Sequence, residues 1–265
     1  MPRAAMAVTV LVALAVSTAC SGGRDAGATA PPAANPARPA ATASRLETLS
    51  STDLMAEVKA NLYKAKSVHV AWRQPAEGKG DTDFSFNFKV TATGKAVGVF
   101  RDGTDRVSIR RLGKVLYFKA NRSYWNEDGS EGPGEALAGR WIKQLQGRKG
   151  GTDAYFEMTD MDEIIEVALD YSSEESLAFS FASKEGEPLT LVPGIDVGGQ
   201  STIGLADTKP GEETKESGTL YVSSADPTLP VHLKLGLDDT EYMKFRSWNE
   251  PVRVVAPKGA ISLDS

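Results

Sequence analysis

The sequence predicts an α+β fold: a curved antiparallel β-sheet of roughly 10–11 strands, with two amphipathic helices available to cover its inner face. Three observations predict it. Short runs of period-two apolar alternation recur at intervals of about 8–12 residues, as in a meander. Two segments leave that period for helical spacing. The chain of 265 residues is 41% hydrophobic, enough to bury one face of a sheet beneath a second layer.

The first element is an address rather than structure. Arg3 precedes an apolar run from Ala4 to Val16. That run falls short of the roughly 20 residues of a membrane span and suits a signal peptide, predicted over 1–19. Ser17-Thr18-Ala19 leads to Cys20, the single cysteine, which cannot form an internal disulfide. Bacterial lipoprotein processing attaches diacylglycerol to a thiol so placed. The stretch Val16 to Gly23 resembles such a lipobox, departing at Ser17, where leucine is usual. Cys20 is therefore the expected lipidation site, carrying palmitate-type acyl chains. Simple secretion with a free thiol is the alternative. Two or more chains give stable anchoring, at about 0.8 kcal/mol per buried methylene.

Residues 20–44 are expected to form a lipidated, Ala/Pro-rich stalk. Pro31, Pro32, Pro36 and Pro39 disfavour helix, and nothing larger than Ala or Pro is available to bury. In an extended form the stalk reaches up to roughly 70 Å. The remainder, 45–265, is one domain by length.

That domain opens with a helix at about 52–66. Ser50, Ser51, Thr52 and Asp53 are capping candidates, and Leu54, Met55, Val58, Leu62 and Ala65 form an apolar stripe. From Val68 the period becomes two. Phe84, Phe86, Phe88 and Val90 alternate with Ser85, Asn87, Lys89 and Thr91, the clearest strand. Val97 and Val99 follow a turn at Thr93-Gly94-Lys95, and Val107 and Ile109 follow Asp102-Gly103. Val115 to Lys119 and Trp141 to Lys143 continue the meander around a Gly-rich loop at 129–139. A second helix is predicted from Thr159, with Thr159-x-x-Asp162 as a capping box and Met161, Ile164, Ile165 and Ala168 as its apolar face. Strands are predicted again near 177–181, 188–193, 201–206, 219–223, 230–237 and 241–248, with a tail at 252–256. Leu237 to Thr240 is a turn candidate.

No catalytic constellation is legible, and the protein is expected not to be an enzyme. His69 and His232 each fall at polar strand positions and are expected to be exposed. Gly147-Arg148-Lys149-Gly150-Gly151 lacks phosphate-loop spacing. Asp160-x-Asp162-Glu163 lacks the calcium-loop pattern and suits a solvated helix start. No metal and no cofactor are expected. The formal charge of −5 argues against nucleic acid, which needs a basic footprint. Charge is nevertheless segregated. Residues 101–122 are mostly basic, whereas 153–187 are acidic apart from Lys184. The basic strands suit an anionic membrane surface or simply a solvated outer face.

At this point the chain resembles the LolA/LppX/LprG-like superfamily of bacterial, actinobacterial-type envelope lipoproteins. The carrying pieces are Cys20, the 52–66 helix, Leu116-Tyr117-Phe118-Lys119, Ser123-Tyr124-Trp125 and Gly139-Arg140-Trp141-Ile142-Lys143. Leu220-Tyr221-Val222, Leu229-Pro230, Phe245 to Val252 and Ala256-Pro257 complete them. The resemblance implies a half-barrel with helices over its concave side and an apolar cavity between them.

The expected function is that of a lipoprotein anchored on the extracytoplasmic face of the cell membrane, binding or carrying a lipid or other acyl-chain ligand. Candidate lining residues are Leu54, Val58, Leu62, Phe84, Phe86, Phe88, Val97, Val99, Val107 and Ile109, which an ordinary core also explains. The alternative is an envelope protein-interaction or accessory module with a filled core, its protein partner unknown.

Overall fold

In the computed structural model the clearest alternation of the sequence, Phe84 to Thr91, lies near the middle of a single large sheet. The structure describes Leu46 and residues 48–76, 78, 80–126, 134–147, 153–169, 189–213, 217–236 and 240–262. The expected signal peptide, Cys20, the stalk, the strand near 177–181 and most of the Leu237–Thr240 turn lie outside these residues.

Helix α1 spans Ser51–Leu62, with Ser50 as its N-cap: the Ser50 hydroxyl oxygen accepts from the Asp53 N–H at 3.1 Å. It ends four residues sooner than predicted. It buries Leu54, Val58 and Leu62, the i, i+4, i+8 stripe. The first meander follows: β1 Ser67–Gln74, β2 Phe84–Thr91, β3 Lys95–Asp102, β4 Asp105–Leu112 and β5 Val115–Ala120. The β3–β4 hairpin pairs Asp102 with Asp105. Its tight turn uses Gly103 at φ +53°, a conformation that favours glycine. Short helices α2 (Arg122–Trp125) and α3 (Gly134–Leu137) precede β6 Ile142–Leu145. The segment predicted as a Gly-rich loop therefore contains a helical turn.

Helices α4 (Asp153–Glu157) and α5 (Met161–Leu169) come next. The predicted capping box divides its work between them. Thr159 Oγ1 donates back to the Tyr155 carbonyl at 2.6 Å, closing α4. Asp160 caps α5 instead: its Oδ1 accepts from Asp162 N at 3.1 Å, and its carbonyl accepts from Ile164 N at 3.1 Å.

The second meander comprises β7 Thr190–Val192, β8 Asp196–Val197, β9 Gln200–Ala206, β10 Gly218–Ser223, β11 Pro230–Leu235 and β12 Glu241–Arg246. The tail predicted as a strand at 252–256 is unpaired chain, and the last strand is β13, Ile261–Ser262.

Among the described residues the sheet contains 13 strands, more than the roughly 10–11 expected. Its order is β13-β6-β5-β4-β3-β2-β1-β12-β11-β10-β9-β7, with β8 beside β9. It is open, and its pairs are antiparallel except β13 with β6. The two meanders meet at a non-local seam, where His69 of β1 faces Arg246 of β12. A clasp fixes that seam: Asn249 N donates to the Ser67 carbonyl at 2.9 Å, and Asn249 Oδ1 accepts from Lys66 N at 2.8 Å. Nearby, Trp248 Nε1 donates to the Pro230 carbonyl at 2.8 Å. The chain then crosses β4, where Arg110 Nη1 donates to the Val255 carbonyl at 2.9 Å, and ends beside β6.

The apolar core lies on the helix-bearing face. It runs from Phe118 and Ile142 through Ile109, Phe88 and Val70 to Met243, Leu233, Leu220 and Leu205. All described residues belong to one compact unit, Pro39–Ser265, which therefore holds the whole described core.

Candidate functional site

The two faces of the sheet differ in chemistry. Because strand side chains alternate, register alone decides which residues share a face. On the inner face β2 presents Phe84, Phe86, Phe88 and Val90. Opposite them β3 places Phe100 against Phe86, Gly98 against Phe88 and Ala96 against Val90. β4 adds Val107 and Ile109 across from Phe100 and Gly98. Eight of the ten predicted lining residues belong to one apolar core, five from the inner face of the sheet and three from α1. Leu54, Val58, Phe88, Val107 and Ile109 are 0% exposed, Leu62 is 1% and Phe86 6%, while Phe84 packs at the margin. Trp72, Phe84, Phe86 and Phe100 form an edge-to-face cluster with ring separations of 4.8–6.4 Å, an arrangement that adds to their area burial.

Val97 and Val99 stand on the opposite face. Val97 pairs with Lys89 and Arg110, and Val99 with Asn87 and Ser108. The turn length sets this: with Val90 opposite Ala96, every even-numbered β3 residue shares the inner face. The signal was present in the sequence as Ala96, Gly98 and Phe100, but two valines are the more conspicuous pair.

Among the described residues one Lys, Arg, Asp or Glu is buried, and it stands on the inner face. Arg111, 5% exposed, points into the core from β4. Its Nε donates to the Gly113 carbonyl at 3.0 Å, Nη1 to the Phe156 carbonyl at 2.8 Å and Nη2 to Asp160 Oδ2 at 3.0 Å. The guanidinium also lies over the Phe156 ring, 5.3 Å from its centroid. Arg111 thereby latches the α4–α5 junction onto the sheet. At α1 the link is lighter: Asn61 Nδ2 donates to the Thr228 carbonyl at 3.2 Å, and Thr228 Oγ1 donates to Glu57 Oε1 at 2.8 Å. Alternation along β4 already puts Arg111 in step with Val107 and Ile109 and out of step with Arg106 and Arg110, but the α4–α5 groups that receive it are distant in the chain.

The outer face carries a groove of about 560 Å³ whose lining includes His69, Ala71, Arg73, Asn87, Lys89, Val97, Val99, Arg101 and Tyr242. A second, of about 430 Å³, lies toward β7, β9, β10 and β11, with Val192, Ala206, Thr219, Tyr221 and Lys234 in its wall. Among the described residues no group of His, Cys, Asp and Glu is arranged to hold a metal, and no helix is long and apolar enough to cross a membrane.

The two histidines depart from the expected exposure. His232 is 4% exposed, enclosed between the Tyr221 and Tyr242 rings of the neighbouring strands. His69 is half-buried in the first groove. Its Nδ1 accepts from Arg246 Nε at 3.1 Å, so Nε2 carries the proton and faces Asn87 Oδ1 at 2.7 Å. Burial lowers its pKa below 6.5. The positive charges of Arg246 and Lys89 act in the same direction, while the Asn87 bond and Glu250 oppose it. A lowered histidine pKa favours the neutral form in the folded state. Its contribution to stability is therefore full above 6.5 and declines as pH falls from 6.5 through the folded value. An NMR titration of the His69 ring is expected to give a midpoint below 6.5, and Arg246→Ala to raise it. A midpoint at or above 6.5 in the unaltered protein contradicts the burial account.

No protein-family model matches the chain, and no curated protein matches it. Solved structures do. LprF from Mycobacterium bovis aligns over 79% of this chain and 97% of its own, at 13% identity and a TM-score of 0.48. MucB, solved in complex with MucA(peri), aligns over 79% of this chain at 14% identity and a TM-score of 0.30, and this chain spans 57% of its length. A LolA superfamily protein from Nitrosomonas europaea aligns over 79% of this chain and 96% of its own, at 8% identity and a TM-score of 0.23. All three likenesses are remote, and the described residues themselves form one large open antiparallel sheet with short helices.

Proposed function

We propose that this protein is a non-catalytic, membrane-tethered lipoprotein of the cell envelope that binds a lipid or another acyl-chain ligand between its helices and the inner face of its sheet. The observation that carries this reading is the chemistry of that interface. Leu54, Val58 and Leu62 of α1 belong to the same apolar core as Phe86, Phe88, Val107 and Ile109 of the sheet. Separating α1 from the sheet creates a space with almost no polar demand, suited to methylene chains at about 25 cal/mol per Å² of area buried. α1 is held mainly by packing and by the few polar links at Asn61, Glu57 and Thr228. Cys20 supplies the tether through lipid, and the stalk sets the reach.

A second reading has its own support. The closed packing of the predicted lining residues fits a filled-core module that contacts an envelope protein through its outer face. Native mass spectrometry of the Pro39–Ser265 unit, purified without strong detergent, separates the two. Co-purifying acyl lipids are the expected result; a persistently ligand-free protein favours the interaction module. For the tether, Cys20→Ala is expected to move the full chain from the membrane fraction to the soluble fraction, and unchanged fractionation rejects lipid anchoring.

A further inference from the structure

The outer face of the sheet has a charge order that neither the core nor the proposed acyl site uses. Register arranges its side chains in rows across β12, β1, β2, β3 and β4. One row is short and neutral: Ala71, Asn87, Val99 and Ser108 lie opposite one another in sequence. On one side of it stand Arg73, Arg101 and Arg106. On the other stand Arg246, Lys89 and Arg110. The two cationic rows lie four residues apart along the strands, about 13 Å. The groove of about 560 Å³ occupies the space between them.

No Asp or Glu takes an outward position on these strands or on β5 and β6. Lys119, Lys143 and Lys244 carry the same sign to β5, β6 and β12, about 29 Å across seven strands, with the segment after Glu250 crossing this face at Arg110. Among the described residues, Arg73, Lys89, Arg101 and Arg106 are exposed and no carboxylate lies within salt-bridge distance of them. Such crowding of like charge is repulsive, and on a chain of net charge −5 it is a segregation that an anionic partner relieves.

We propose that this face docks on an anionic bilayer, with phosphate headgroups seated in the groove between the two rows. The breadth of the charge favours a surface over a small soluble anion, because the cations continue well beyond the groove. The apolar floor at Ala71, Val97 and Val99 admits the glycerol portion of a headgroup. This docking is independent of the acyl site, which lies on the other side of the sheet, and of Cys20.

The test uses the Pro39–Ser265 unit, which lacks the tether, in co-sedimentation with vesicles of phosphatidylcholine alone or mixed with phosphatidylglycerol. Binding is expected only to the mixed vesicles and is expected to disappear as salt rises from roughly 0.1 M to 1 M, where screening shortens to about 3 Å. The double variant Arg101→Gln/Arg106→Gln is expected to weaken it on the order of twentyfold, about fivefold per charge. Both side chains are exposed, and circular dichroism confirms the fold. Lys59→Gln/Lys64→Gln removes the same charge from α1 and its end, and is expected to leave binding unchanged. Equal binding to neutral vesicles, equal loss in both double variants, or full binding by the arginine variant overturns the proposal. Capture of soluble inorganic polyphosphate without vesicle binding also overturns it, assigning the groove to a soluble polyanion. Because the tested unit carries no tether and the readout needs no acyl ligand, failure here leaves the proposed function standing, and the reverse holds.

Discussion

Replacing Phe88 by alanine is expected to lower the unfolding free energy by about 3–5 kcal/mol. The ring is 0% exposed, stacks on Phe86 at 5.3 Å and lies between Val70 and Gly98 on the adjoining strands. Its loss removes the largest fully buried side chain and leaves a void that neighbouring β-strands close only partly. For a domain of this size about 2–4 °C of melting temperature accompanies each kcal/mol, so the midpoint is expected to fall by roughly 6–20 °C. The same site tests why β3 turns its valines outward. A Cβ built on Gly98 comes within 2.3 Å of Phe88 Cδ1 and 2.1 Å of the Asn87 carbonyl oxygen. Gly98→Ala alone is therefore expected to cost about 3 kcal/mol. In a Phe88→Ala background the ring clash is gone and the backbone clash remains, so the two costs are expected to fall short of additive by about 1–2 kcal/mol. Urea unfolding of the four proteins measures this, and strict additivity contradicts the packing described.

The second large effect is expected at Arg111. Arg111→Ala removes the donors to the Gly113 and Phe156 carbonyls and to Asp160. Breaking a buried ion pair from one side costs about 3–5 kcal/mol. Asp160 is 34% exposed and recovers some hydration, which places the expected loss near the lower bound, about 3 kcal/mol. Asp160→Asn isolates the charge, since asparagine caps a helix as well as aspartate does, and is expected to cost about 1 kcal/mol. Limited proteolysis adds a readout specific to the latch. Cleavage within 153–169 is expected to accelerate in Arg111→Ala far more than in a core variant of matched stability, and equal acceleration argues against a latch at this junction.

Much of the local structure was legible because it depends on neighbours in the chain. The Leu54, Val58, Leu62 stripe specifies α1, and Ser50 starts it. The helix ends early because Lys64 and Ala65 close a final turn, their N–H groups donating to Asn61 and Leu62. The alternation of β2 and the Asp102-Gly103 turn specify hairpins whose registers the structure keeps. Turn length also fixed the face of Val97 and Val99, through the pairing of Val90 with Ala96. Thr159 and Asp160 illustrate the opposite case. Either residue can cap a helix, and the choice depended on α4 ending at Glu157, with Thr159 bonded back to Tyr155, whose ring packs on Phe100 and Phe118.

By itself, then, the sequence determined what short range can determine: the period of each segment, the turns between adjacent strands, and the presence of one apolar face and one polar face. Tertiary structure alone decided the pairing of β1 with β12, the burial of His232 between two tyrosines, the placing of β13 beside β6, and the docking of the α4–α5 junction on Arg111. For the strand pairings the physical reason is register. Side chains alternate at every second residue, so a one-residue change of register exchanges the faces of a whole strand. Where partners are distant in the chain, that register is set by packing across the assembled sheet, and no local pattern encodes it.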